Sequence, residues 1–171
     1  MKIAVTGATG HLGGLVVRGL LDAGRRADDI VAVVRNAAKA SDLAEKGVQV
    51  RVAAYENRPA LEAALAGVDR LLLVSSSDVG RRSEQHRNVI DAARSVGIHH
   101  LVYTSAPKAG TSTLVLAPEH RATEEYIAAS GLTYTIVRNN WYTENYLQTV
   151  ETERATGTIV AAAGAVSTVC R

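Results

Sequence analysis

A chain of 171 residues with 47% hydrophobic and 21% charged side chains can bury one sizeable core, which predicts a single domain over residues 1–171. A formal net charge of +2 is too small to mark a nucleic-acid binder, and the pairs Arg25-Arg26 and Arg81-Arg82 lack interleaved aromatics, so both are read as solvated. No apolar stretch approaches the roughly 20 residues that cross a bilayer, no signal peptide precedes the first apolar run, and Cys170 has no disulfide or metal partner; a cytoplasmic protein without membrane contact is expected.

The chain opens with an apolar run, Ile3-Ala4-Val5, followed by Thr6, Gly7, Ala8, Thr9, Gly10, His11, Leu12 and Gly13. Beyond it the large apolar residues Leu12, Leu15, Val16 and Leu20 recur at helical spacing, so the glycines join a buried strand to an amphipathic helix. A helix start carries unpaired N–H groups and the positive end of the macrodipole, which together suit an anion. By analogy with dinucleotide-binding turns, Gly7 makes the turn, Gly10 admits a pyrophosphate and Gly13 lets helix and strand approach, although the spacing is G-x-x-G-x-x-G. A glycine-rich turn without a ligand is the alternative.

The same punctuation then recurs. Alanine- and leucine-rich segments stop at Gly24, Gly47, Gly67, Gly97 and Gly131, and β-branched apolar runs follow at 30–34, 48–52, 70–74, 100–104 and 133–137. With 3–5 these make about six strands. Their near-continuous apolar character predicts burial on both faces and hence a doubly wound parallel sheet of Rossmann-like α/β type. Pro59 and Pro118 stand where helices should begin.

In such sheets ligands lie beyond the carboxyl ends of the strands. The second strand is followed by Arg35, a guanidinium suited to the 2′-phosphate of NADP(H), or else a surface arginine. The third ends in Ala53-Ala54-Tyr55, which offers little polar chemistry. The fourth ends in Ser75, Ser76, Ser77 and Asp78; these groups suit the nicotinamide-side ribose, and Asp78 equally suits a helix cap near Gly80. The sixth ends in Arg138, Asn139, Asn140, Trp141, Tyr142 and Thr143, where Trp141 and Tyr142 offer either a flat wall for an aromatic substrate or ordinary packing. His120 precedes the sixth strand and is the imidazole best placed to move a proton at the cleft, whereas His86, His99 and His100 are read as structural or solvated. No metal site is expected.

The segments T-G-A-T-G-H-L-G, Val34-Arg35-Asn36, Leu72 to Asp78, Gln85-His86-Arg87-Asn88-Val89-Ile90 and Arg138 to Tyr146 together resemble the NmrA-like branch of the atypical short-chain dehydrogenase/reductase superfamily, and within it the NADPH-dependent quinone reductases. The resemblance implies that Gly7 through Leu12 hold the pyrophosphate and Arg35 the 2′-phosphate. It implies that Ser75, Ser76 and Ser77 border the nicotinamide half and that Arg138 through Thr143 enclose its far side. Hydride transfer from NADPH to a quinone is the implied reaction, a cofactor-binding redox sensor is the alternative, and a homodimer is compatible with either. Three departures stand out. The superfamily's Tyr-x-x-x-Lys pair maps onto Leu116 and His120, which leaves His120 as the proton donor; Ala54 replaces an aspartate that grips adenine. The family's small carboxyl-terminal substrate lobe is mostly absent, and Gly164-Ala165-Val166-Ser167 looks shortened against the family's turn.

Overall fold

The computed structural model describes residues 1–157; residues 164–167 and Cys170 lie outside them. Two compact units divide the chain, Met1–Arg138 and Asn139–Arg171.

The first unit is built on a six-stranded parallel sheet of β1 (Ile3–Thr6), β2 (Ile30–Val34), β3 (Gln49–Val52), β4 (Arg70–Leu73), β5 (His100–Ser105) and β6 (Tyr134–Arg138), in the order β3-β2-β1-β4-β5-β6. Each predicted strand is present, displaced by at most a residue at either end. Helices α1 (His11–Asp22) and α2 (Ser41–Glu45) contribute to an apolar cluster on one face, with Val17 and Leu43 packed beside Val5, Ala32 and Val34. On the other face α3 (Arg58–Leu65), α4 (Arg82–Ser95) and α5 (Ala117–Ala129) bring Leu61, Leu65, Val89, Ile90 and Ile127 against Val31, Leu71, Leu73 and Leu101. Fully burying one such side chain contributes roughly 1.5–3 kcal/mol, so this larger cluster dominates the unit's stability.

Local chemistry explains the boundaries. The five glycines expected to stop helices all have positive φ, from 69° to 84°. Pro59 and Pro118 lie in the first turns of α3 and α5, and the Asn57 side chain caps α3 by accepting from the Ala60 N–H at 3.0 Å. All five residues of β2 are buried, as a central parallel strand requires. The last strand departs from that expectation. In β6 only Ile136 is partly covered, whereas in β3, the other terminal strand, three of four residues are.

Helix α1 also buries a different side from the one its large residues suggest. Gly13, Gly14 and Val17 face inward, while Leu15 is 45% exposed. Two glycines let the helix axis settle close to β1, which turns the leucines toward its flanks.

The second unit contains a short 3₁₀ turn, Thr143–Tyr146, and α6 (Leu147–Thr156), closed by Gly157 at φ 67°. No helix among the described residues is long and apolar enough to cross a membrane.

Candidate functional site

The strand order reverses between β1 and β4, so the crevice at their carboxyl ends is where a doubly wound sheet takes its ligand. The turn after β1 is built from main chain. Gly7 has φ 59°, and its carbonyl accepts from the Gly10 N–H at 2.8 Å. A Cβ on Gly13 would lie 2.3 Å from the Gly7 oxygen and 3.0 Å from the Ala8 Cα, so only glycine permits this closure. Gly10 caps α1 without a side-chain hydrogen bond, and no acidic residue stands in the first helical turn. Anion-seeking N–H groups are thus left to a ligand rather than to a capping oxygen.

Beneath this turn lies a residue that the sequence reading passed over. Ladder pairing between β1 and β4 ends at Val5 and Leu72. Past that point side chains replace it: the Val74 N–H donates to Thr6 Oγ1 at 3.0 Å, and the Tyr55 hydroxyl donates to the Val74 carbonyl at 2.8 Å while lying 2.6 Å from Thr6 Oγ1. Tyr55 arrives from the end of β3, and its hydroxyl would be 3.7 Å from a Cβ on Gly7. Burial pushes that hydroxyl up in pKa, its contact with Thr6 and the nearby charge of Arg35 working the other way. Nothing local in Ala53-Ala54-Tyr55 announces this contact, which depends on a crossover of the chain.

Arg35 is exposed at the end of β2, and among the described residues no hydrogen bond or ion pair engages it. Beside the glycine turn is a cavity of about 320 Å³, bounded by Thr9, Gly10, Gly14 and Arg18 on one side and by Lys39 and Asp42 on the other. The Arg18 guanidinium folds back over the helix start, where a Cβ on Gly14 would meet it at 3.4 Å. Arg18 and Lys39 share this lining with one carboxylate, Asp42, which leaves it net positive near the positive end of α1. Neither Arg18 nor Lys39 was singled out by the sequence. An arginine two turns into a helix reads as solvated until its fold-back is seen.

The turn after β4 is held by side chains. The Ser75 N–H donates to Thr104 Oγ1 at 2.9 Å and the Ser76 N–H to His86 Nε2 at 3.0 Å, while the Ser76 carbonyl accepts from Arg82 Nε at 2.6 Å. Ser77 is exposed. Asp78 does not cap α4 with its side chain; it accepts from Gln85 Nε2 at 2.9 Å instead. Arg82, expected to be solvated, is 4% exposed and pairs with Glu119 at 3.1 Å. Its neighbour Arg81 does stay exposed. The doublet splits because α4 begins between them and turns only Arg82 inward.

His120 is 6% exposed, and its Nδ1 lies 2.7 Å from the Tyr103 hydroxyl. Burial and the nearby Arg82 charge pull its pKa down to about 4, so it is neutral at ordinary pH. Burial pushes the Tyr103 hydroxyl the opposite way, keeping it protonated. Arg138, at the end of β6, grips Glu124 with two bonds of 3.0 and 2.7 Å, and the Ser105 hydroxyl donates to the same carboxylate at 2.6 Å. These contacts hold Glu124 below the usual carboxylate range. Asn139, Asn140, Trp141, Tyr142 and Thr143 belong to the second unit, where Asn139 Nδ2 donates to the Tyr142 hydroxyl at 3.0 Å and Trp141 is exposed. Among the described residues no group of acidic, histidine or cysteine side chains could hold a metal ion.

Known proteins bear on this geometry. Quinone oxidoreductase 2 of Escherichia coli (strain K12) is 51% identical over 162 residues, which cover 95% of this chain and 56% of that protein. The crystal structure of the Escherichia coli NADPH-dependent quinone oxidoreductase complexed with NADPH matches with a TM-score of 0.90 at 50% identity, over 95% of this chain and 57% of that one. Triphenylmethane reductase from Citrobacter sp., complexed with NADP(H), matches with a TM-score of 0.85 at 43% identity, over 91% of this chain and 54% of that one. The chain therefore spans little more than half the length of the relatives it matches. The model of the NAD(P)H-binding family matches residues 7–168. With the glycine turn, the switch-point crevice and that match together, the chain belongs to the NAD(P)H-binding family.

Proposed function

We propose that this chain is the nucleotide-binding portion of an NADPH-dependent oxidoreductase that passes a hydride to quinone-like acceptors. The observation that carries the reading is the closure of the first turn, where a Cβ at Gly13 would strike the Gly7 carbonyl. Side chains are excluded where a diphosphate needs main-chain N–H groups, and the donor set fits the group. Gly7 through Leu12 bind the diphosphate. Arg35 takes the 2′-phosphate, with Arg18 and Lys39 adding positive charge beside the adjoining cavity. Ser75, Ser76 and Ser77 border the nicotinamide half, and the aromatic pair Trp141 and Tyr142 is assigned to the acceptor.

NADPH supplies the hydride when bound; the chain's own residues bind and orient it and keep water from the reacting face. Arg138 is committed to Glu124, so its part is to brace Ser105 and the end of β5 through that carboxylate. Leu116 and the neutral, buried His120 stand where the superfamily places its tyrosine and lysine. An electron-poor ring needs no such relay at the carbon that receives the hydride, which favours a quinone over an ordinary carbonyl. The 51% identity to quinone oxidoreductase 2 supports the same class of acceptor.

The test is to mix the protein with NADPH and a small benzoquinone and follow the absorbance of the reduced cofactor. Quinone-dependent loss of absorbance is expected. Binding of NADPH without turnover would replace this reading by a redox sensor, and failure to bind NADPH would remove both.

A further inference from the structure

Helix α4 opens with side chains that rarely lie inside a protein. Arg82, Gln85 and His86 are all buried, at 4%, 3% and 0% exposure. Gln85 Oε1 is left without a partner, whereas the partners of Arg82 and His86 converge on one short turn. His86 Nε2 accepts from the Ser76 N–H, which assigns the remaining ring proton to Nδ1, 3.0 Å from Thr123 Oγ1. The Thr123 hydroxyl proton goes to the Glu119 carbonyl at 2.8 Å, leaving its oxygen to accept from the imidazole. The Glu119 carboxylate accepts from Arg82 Nη1 at 3.1 Å and from the Gly80 N–H at 3.0 Å. Arg82 Nε then donates back to the Ser76 carbonyl. The chain of bonds closes on the residue where it began.

We propose that this ring of Arg82, His86, Glu119 and Thr123 is a positioning device that sets the main chain of residues 75–80 against the nicotinamide half of the cofactor. The inference depends on the reading that Ser75, Ser76 and Ser77 border that half. Both backbone groups of Ser76 and the N–H of Gly80 are held from α4 and α5, so the turn follows those helices as one body. Helix packing does not need the ring, because Val89, Ile90, Ala93 and Ile127 already join α4 and α5 through the apolar core. A buried ion pair is a weak source of stability compared with apolar residues of the same volume. Its presence here is accounted for by the geometry it imposes on the turn. Ring polarity is kept in one direction by burial and by the Arg82 charge, which hold the His86 imidazole neutral, with a pKa near 3.

Thr123 bonds His86 and Glu119 within the ring and also meets the Tyr103 hydroxyl, so Thr123→Val tests the ring without altering a residue assigned to the cofactor. Affinity is measured for NADPH and for adenosine 2′,5′-bisphosphate, which carries the adenine end alone. Thr123→Val should weaken NADPH on the order of tenfold while leaving the bisphosphate nearly unchanged, and Thr123→Ser should restore NADPH binding. Unchanged NADPH affinity, or equal losses for both probes, would overturn the proposal. Should the valine variant not fold, Glu119→Gln interrupts the ring at the Arg82 pair and carries the same expectations. If the unaltered protein binds NADPH no more tightly than the bisphosphate, the assignment of residues 75–77 to the nicotinamide half fails, and the role of the ring fails with it.

Discussion

In the turn after β1 the backbone closes on itself until a single Cβ at Gly13 would sit 2.3 Å from the Gly7 carbonyl, whereas the turn after β4 is held by a ring of four polar side chains from α4 and α5, three of them buried. Both turns follow adjacent parallel strands at the switch point. One is shaped by removing side chains and the other by adding them. The first depends on sterics and on bonds among groups that stay uncharged, and should be indifferent to protonation. The second depends on a neutral imidazole and a paired guanidinium, so pH and charge substitutions should reach it.

The largest effect is expected where sterics act alone. Gly13→Ala places its methyl group within 3.0 Å of three backbone atoms, none of which can swing aside. A cost of about 3 kcal/mol is expected in chemical denaturation, together with loss of NADPH binding. A variant as stable as the parent would mean that the turn yields and is not the rigid cradle described.

Next comes Arg35→Ala. Losing a charge-assisted pair to a phosphate costs about 1.5 to 3 kcal/mol, and the loss should appear in NADPH affinity and scarcely in NADH affinity. Equal losses for both cofactors would remove Arg35 from the 2′-phosphate and shift that role to Lys39 and Arg18.

Acid should reach the second turn. In the folded chain His86 and His120 titrate near 3 and near 4, against 6.5 when unhindered. Between those values the unfolded chain binds protons that the folded chain refuses. Stability is therefore fully present above about pH 6.5 and falls as the pH drops toward 4, by up to about 1.4 kcal/mol per pH unit for each histidine. Urea midpoints measured across that range should decline steadily as the pH falls. A flat profile would mean that the two imidazoles accept protons without disturbing their partners, which would break the contrast between the turns.

The same contrast explains what could be read from the chain before folding. The glycine turn was legible because its cause is local: glycines at fixed spacing between an apolar run and an amphipathic helix. The six strands were legible for a similar reason, being short apolar runs between helix-stopping glycines. Tyr55, Arg82 and the buried His120 were not, because each acquires its role from residues far along the chain. Tyr55 meets Val74, Arg82 meets Glu119, and His120 meets Tyr103. A sequence shows that Arg81 and Arg82 are adjacent; only the start of α4 decides that one faces solvent and the other the interior.

The smallest effect sharpens the steric half of the comparison. Gly19 lies on the same helix as Gly13, but a Cβ there meets nothing within 4 Å, and its φ is not in the left-handed region. Glycine inside a helix costs about 0.5–1 kcal/mol relative to alanine, chiefly through the freedom it loses on folding. Gly19→Ala should therefore raise stability by about that amount and leave NADPH affinity unchanged. One substitution on one helix is thus expected to act with opposite signs at two positions. Were Gly19→Ala to destabilise as Gly13→Ala does, general intolerance of α1 to added bulk, and not the closeness of Gly13 to the Gly7 carbonyl, would explain both results.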